Sequence, residues 1–132
     1  MNRFFYLIFV LVCSLHTAAQ NSMNMGREGS YTYTNSECSD IWGYVDNNGT
    51  EYALVTLNNG FSVVDLSIPS NPIQNFFISG ATSMWRDVKV WGHYAFITCD
   101  QGSDGLLIVD LNDMSGNTYV YTTIDQNSQN MF

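Results

Sequence analysis

Tyr52-Ala53-Leu54-Val55-Thr56 returns 42 positions later as Tyr94-Ala95-Phe96-Ile97-Thr98. Gly60-Phe61-Ser62-Val63-Val64-Asp65-Leu66 returns after 45 positions as Gly105-Leu106-Leu107-Ile108-Val109-Asp110-Leu111, and Asp40-Ile41-Trp42 corresponds to Asp87-Val88-Lys89 after 47. The increments differ because the loops differ in length. The first copy carries the longer turn Asp46-Asn47-Asn48-Gly49-Thr50 where the second has only Gly92-His93. The second copy carries the longer loop between its next two strands, Asp100 to Gly105. One structural unit is therefore written twice, and self-similarity at such a period is the mark of a repeat architecture.

Each copy reads as four strand-like segments parted by turn chemistry. They are roughly 40–45, 52–57, 61–66 and 73–78 in the first copy, and 87–91, 94–99, 106–111 and 119–124 in the second. Asn59-Gly60 is a tight-hairpin signal, because both residues tolerate positive φ. Ile68-Pro69-Ser70-Asn71-Pro72 breaks the ladder, since its prolines donate no hydrogen bond. Four antiparallel strands at a period of about 40–50 residues fit a β-propeller blade. The fold class is thus all-β, about two four-stranded antiparallel blades spanning 37–80 and 81–126. Because blades come in rings of roughly four to eight, an incomplete propeller is expected, with 127–132 opening the next blade and the chain belonging to a longer protein. A complete eight-stranded two-sheet sandwich fits the same strand count.

Composition agrees with this reading. Tyr, Phe, Trp, Val and Thr suit a pleated, half-buried surface. Lys and Arg total only 4 against 12 Asp and Glu, a net charge of −8. Phosphate binding needs clustered cations, so nucleic acid is an unsuitable partner. The first twenty residues differ from the rest: Arg3 supplies positive charge, Phe4 to Val12 is apolar, and Thr17-Ala18-Ala19 supplies small residues. These are the three regions of a secretory signal, with cleavage expected after Ala19 or Gln20. The apolar run is too short to span a bilayer comfortably, and no transmembrane segment is expected after cleavage. A linker then runs over 21–36. Cleavage removes Cys13 and leaves Cys38 and Cys99, a pair that can bridge in an oxidising compartment.

Cys38-Ser39-Asp40-Ile41-Trp42-Gly43-Tyr44, Trp85-Arg86-Asp87-Val88-Lys89 and Leu107-Ile108-Val109-Asp110-Leu111 together resemble the choice-of-anchor B family, which carries LVIVD-type repeats and is common in Bacteroidetes. The likeness runs from about Glu37 to Ile124. It implies a secreted or surface-displayed β-propeller whose members vary in their C-terminal anchor. It implies no particular reaction.

Strand order sorts the loops. One end collects Cys38, Ser39 and Asp40, then 58–60, 83–87 and 100–105. The other collects 46–50, 67–72, His93 and 112–117. Ligand sites favour loops held by a rigid scaffold, so the candidate ligand-binding residues are Asp40, Arg86, Asp87, Asp100 and Asp104. Asp40 and Asp87 are repeat-equivalent, and each can instead accept backbone N–H groups from a neighbouring blade. Arg86 can pair with a carboxylate or hold an anion in its planar fork. Asp100 to Gly105 resembles a calcium loop, but Gly102 and Leu111 stand where oxygen ligands belong. No cofactor is required by the sequence, and calcium is the alternative. Asp65 and Asp110 end equivalent strands and are expected to cap the following turns. Cys38 and Cys99 fall at the same end, in adjacent blades, where a disulfide would tie the blades together. No Gly-x-Ser-x-Gly elbow or phosphate loop occurs, and His93 sits at the end away from the acidic loops, so no catalytic set is legible. The expected function is a secreted or cell-surface interaction scaffold engaging a protein or glycan. The competing readings are an extracellular enzyme completed by further blades and a calcium-stabilised surface domain.

Overall fold

The structure, a computed structural model, describes residues 25–122. The signal segment with its cleavage point and Cys13, the last residues of the final strand, and the expected next-blade segment 127–132 lie outside the described residues. Eight strands form in chain order. They are β1 (Cys38–Val45), β2 (Glu51–Leu57), β3 (Gly60–Asp65), β4 (Ile73–Ser79), β5 (Arg86–Trp91), β6 (Tyr94–Cys99), β7 (Leu106–Asp110) and β8 (Tyr119–Thr122). They make two four-stranded antiparallel meanders, β1-β2-β3-β4 and β5-β6-β7-β8. These are two propeller-like blades, called here blade one and blade two.

The blades pack face to face. Leu54 of β2, Phe61 and Val63 of β3, and Phe76 and Ile78 of β4 meet Val88 of β5, Ala95 and Ile97 of β6, and Leu107 and Val109 of β7 in one buried cluster. Side chains alternate across a strand, and that alternation explains the pattern. In β6, Ala95 and Ile97 are buried toward blade one, while Tyr94, Phe96 and Thr98 turn the other way and remain at least partly accessible. In β2 both parities are buried, because blade one is covered on both sides. Blade two covers one side. On the other, Val55, Leu57 and Val64 form a second cluster with Tyr33, Ala53 and Leu66. Residues 21–36 were expected to be a linker; their C-terminal part instead packs onto blade one.

Three turns follow their chemistry and one departs from expectation. Trp91 pairs with Tyr94 across Gly92-His93, and Gly92 has φ of 61°, the left-handed first position of a tight hairpin that glycine fills without strain. Asp65 Oδ1 accepts the Ser67 N–H at 2.7 Å, and Asp110 Oδ1 accepts the Asn112 N–H at 2.9 Å. Both caps sit where the sequence placed them. The β2–β3 turn is centred on Asn58-Asn59, however, with Leu57 paired to Gly60. Neither asparagine has positive φ. Gly60 belongs to the strand, paired with Leu57 and Ser79, and glycine is needed there because a Cβ would lie 2.3 Å from the Ile78 carbonyl oxygen.

Candidate functional site

The meander order brings the start of β1, the β2–β3 turn, the β4–β5 connection and the β6–β7 loop to one end. Backbone groups tie them together. Asn58 N–H donates to Glu37 O at 2.9 Å, Gly80 N–H to Asn59 O at 2.9 Å, and Ser83 N–H to Asn58 O at 2.8 Å. The Ser83 hydroxyl lies 2.6 Å from Asp100 Oδ1 and 2.8 Å from Trp85 O; its one proton serves one of them at a time.

Between the blades runs a polar seam. Asp40 Oδ2 accepts the Val88 N–H of blade two at 3.1 Å, with Lys89 Nζ at 3.4 Å. The Val88 amide, helped by the Ile41 amide and the Lys89 charge, holds the Asp40 carboxyl below the usual range against a smaller opposing effect of burial. Thr56 is fully buried. Its Oγ1 accepts the Asp40 N–H at 2.8 Å and donates to Arg86 O at 2.5 Å. Ser39 Oγ accepts the Arg86 N–H at 2.9 Å. Lys89 also stands 4.7 Å over the Trp42 ring.

Arg86 is 2% exposed. Its Nε donates to Leu57 O at 3.1 Å and its Nη2 to Ala81 O at 2.6 Å. Among the described residues no carboxylate oxygen reaches ion-pair distance of its guanidinium. The charge is stabilised by carbonyl dipoles, and the side chain joins blade one to the β4–β5 connection. Asp104 Oδ2 accepts the Ala81 N–H of the same connection. Asp40, Arg86, Asp100 and Asp104 thus gather at one end, each engaged with a neighbouring loop or blade. Asp87 does not join them. It is exposed on the face of blade two that turns away from blade one.

Cys38 and Cys99 are free thiols in this structure. Cys38 borders a groove between blade one and residues 29–33. Cys99 continues the inward-facing row of Ala95 and Ile97. The groove encloses about 530 Å³ and is lined mainly by Tyr31, Tyr33, Ile41, Ala53, Val55 and Val64.

At the opposite end, His93 Nε2 lies 3.9 Å from Asp110 Oδ1, and its ring centroid lies 4.1 Å from that of Tyr94, the planes tilted by 40°. Asp46 Oδ1 closes its turn by accepting the Asn48 and Thr50 N–H groups at 2.8 and 2.9 Å. Among the described residues, no group of three or more His, Cys, Asp or Glu could share a metal ion. No helix among them is long and apolar enough to cross a membrane.

Sequence reasoning did not single out Thr56. Its signal was present: Thr56 and Thr98 are the polar residues at equivalent places in otherwise apolar strands.

Repeated four-stranded blades packed through a shared core, with loops gathered at each end, define a β-propeller-like repeat protein. The LVIVD repeat model matches residues 50–77 and 84–122, just over half of the chain, and the chain belongs to that family. No curated protein and no solved structure matches it.

Proposed function

We propose that the protein is a secreted or cell-surface scaffold of the choice-of-anchor B type, of Bacteroidetes origin, that engages a protein or glycan without turning it over. One observation supports this reading above the others. The polar residues of the acidic loop end are engaged within the fold: Asp40 accepts the Val88 N–H, Asp100 the Ser83 hydroxyl and Asp104 the Ala81 N–H, while Arg86 donates to the Leu57 and Ala81 carbonyls. Acid–base chemistry needs a group within reach of substrate with its lone pair or proton available. Recognition needs a rigid platform with accessible aromatic area. Trp85 is 69% exposed beside Met84 at 59%, on the connection that this network fixes.

The test pairs binding with turnover. The chain is screened against a glycan array and a surface-protein extract, and separately against a broad hydrolase panel. Retained partners, lost in Trp85→Ala at unchanged melting temperature, are expected. Turnover of any panel substrate that Asp40→Asn or Asp87→Asn abolishes in a folded protein would replace this reading with an enzyme.

A further inference from the structure

Each blade has two faces, and the repeat makes them comparable. The face of blade one in the seam carries Asp40, Leu54, Thr56, Phe61 and Val63. The 42-, 45- and 47-residue shifts carry these onto Asp87, Phe96, Thr98, Leu106 and Ile108. That is the open face of blade two, where Asp87 and Thr98 are exposed and Phe96, Leu106 and Ile108 are half-buried. The seam face of blade two carries Val88, Ala95, Ile97, Leu107, Val109 and Leu111. The same shifts carry these onto Ile41, Ala53, Val55, Ser62, Val64 and Leu66 of blade one. That far face of blade one therefore has the pattern of a surface that receives a blade.

It receives residues 29–33 instead. Tyr33 packs on Val55, Leu57 and Val64, and its hydroxyl donates to Ser62 Oγ at 2.9 Å. Tyr31 donates to Gln74 Oε1 at 3.0 Å and meets Tyr33 edge-on at 4.9 Å. Gly29 lies so close to the 69–72 loop that a Cβ would come 2.1 Å from Pro69 O. Ser62 is the informative exception in the comparison. Five of the six matched positions keep an apolar residue, but Leu107 of blade two is replaced by Ser62, a buried hydroxyl at hydrogen-bond distance from Tyr33. The face has kept its blade-receiving shape and gained a polar partner for the segment lying on it.

We propose that residues 29–33 are a resident cap standing where a blade would sit, and that displacing the cap exposes a docking surface for the open face of blade two of a second copy of this chain. The contact continues the seam already present within the chain. Thr98 would bond the carbonyl of the second copy's Ser39, as Thr56 bonds that of Arg86. The contact is heterologous, one face against a different face, so it propagates head to tail. Repeat arrays need such caps, because an uncapped terminal face associates.

Sedimentation velocity across a concentration series tests this in the full chain. Tyr33→Ala removes the cap's anchor, and Ser62→Leu restores the blade-two residue and evicts the Tyr33 hydroxyl. Both are expected to strengthen self-association at least about tenfold over the parent, the equivalent of roughly 1.4 kcal/mol. Adding Ile108→Asp, on the open face of blade two, is expected to abolish the gain. Circular dichroism confirms that each variant is folded. Folded Tyr33→Ala and Ser62→Leu proteins that associate no more than the parent would overturn the proposal. Association that survives Ile108→Asp would also overturn it, since the second copy would then be using another surface.

Discussion

Thr56 and Thr98 are the same residue at equivalent places in the two blades, yet replacing them with valine has unequal consequences. Valine conserves the shape of threonine and removes only the hydroxyl. At position 56 the change leaves two groups unpaired inside the seam: the Asp40 N–H, now 2.8 Å from an oxygen, and the Arg86 carbonyl, now 2.5 Å from one. Thr56 is fully buried, so water cannot replace them there. Each unsatisfied buried group costs about 1–3 kcal/mol. Allowing for local relaxation, Thr56→Val is expected to lower unfolding free energy by about 2–4 kcal/mol. Thr98 is exposed on the open face of blade two, and Thr98→Val is expected to change stability by no more than about 0.5 kcal/mol. For a unit of this size 1 kcal/mol moves Tm by roughly 4–8 °C, so Thr56→Val should melt at least about 8 °C below the parent. The assay is urea and thermal unfolding in dilute protein, followed by far-ultraviolet circular dichroism and tryptophan fluorescence, with coincident transitions required. Equal effects from the two substitutions would refute the reasoning, because the cost is assigned wholly to the packed seam.

Further expectations follow from the same contacts. Arg86→Met removes two charge-assisted bonds, to Leu57 O and Ala81 O, partly offset by no longer burying a charge; a loss of about 2–4 kcal/mol in urea titration is expected, and full stability would show that the guanidinium holds nothing. Asp40 has a depressed folded-state pKa, so the stability it contributes is fully present above its ordinary value of 3.8 and is lost as pH falls through the lower folded value. The parent should therefore lose stability on acidification from pH 4 to pH 2 more steeply than Asp40→Asn, and parallel pH–Tm curves would contradict that. Cys38 and Cys99 are free in this structure, so thiol titration of the unreduced, denatured chain should find both reactive; a protein lighter by the two hydrogens of a disulfide would contradict that.

Much of the fold was legible because its signals are local. Alternation, the glycine of the Gly92-His93 hairpin, the prolines at 69 and 72 and the Asp65 and Asp110 caps act within a few residues of themselves, and the repeat carries each conclusion from one blade to the other. The seam was only half legible. Asp40 could be seen as a group able to bond a neighbouring blade, but its partner, the Val88 amide 48 residues on, depends on how the two sheets are offset. Thr56, hidden in an apolar strand, looked like ordinary β-propensity. Arg86 looked like a surface cation suited to a carboxylate or an anion, whereas its acceptors are carbonyls of chain segments that converge only when both blades pack. The cap was least legible. Tyr31-Thr32-Tyr33-Thr34 alternates with the period of a strand but is short and set among polar residues, and the apolar face that recruits the two tyrosines is assembled from β2 and β3.

β5 is the edge strand of its sheet, and an edge presents unpaired N–H groups unless something covers it. Here the Arg86 and Val88 amides point out of that edge and are taken by Ser39 Oγ at 2.9 Å and Asp40 Oδ2 at 3.1 Å of the neighbouring blade. Residue-resolved amide hydrogen exchange therefore tests the packing of the blades most directly. Slow exchange is expected at both amides, with Val88 accelerated selectively in Asp40→Ala, which removes the acceptor, and Arg86 in Ser39→Ala. Exchange of both at the rate of a free strand edge, in a protein whose central strands remain protected, would mean that the two sheets do not share this seam.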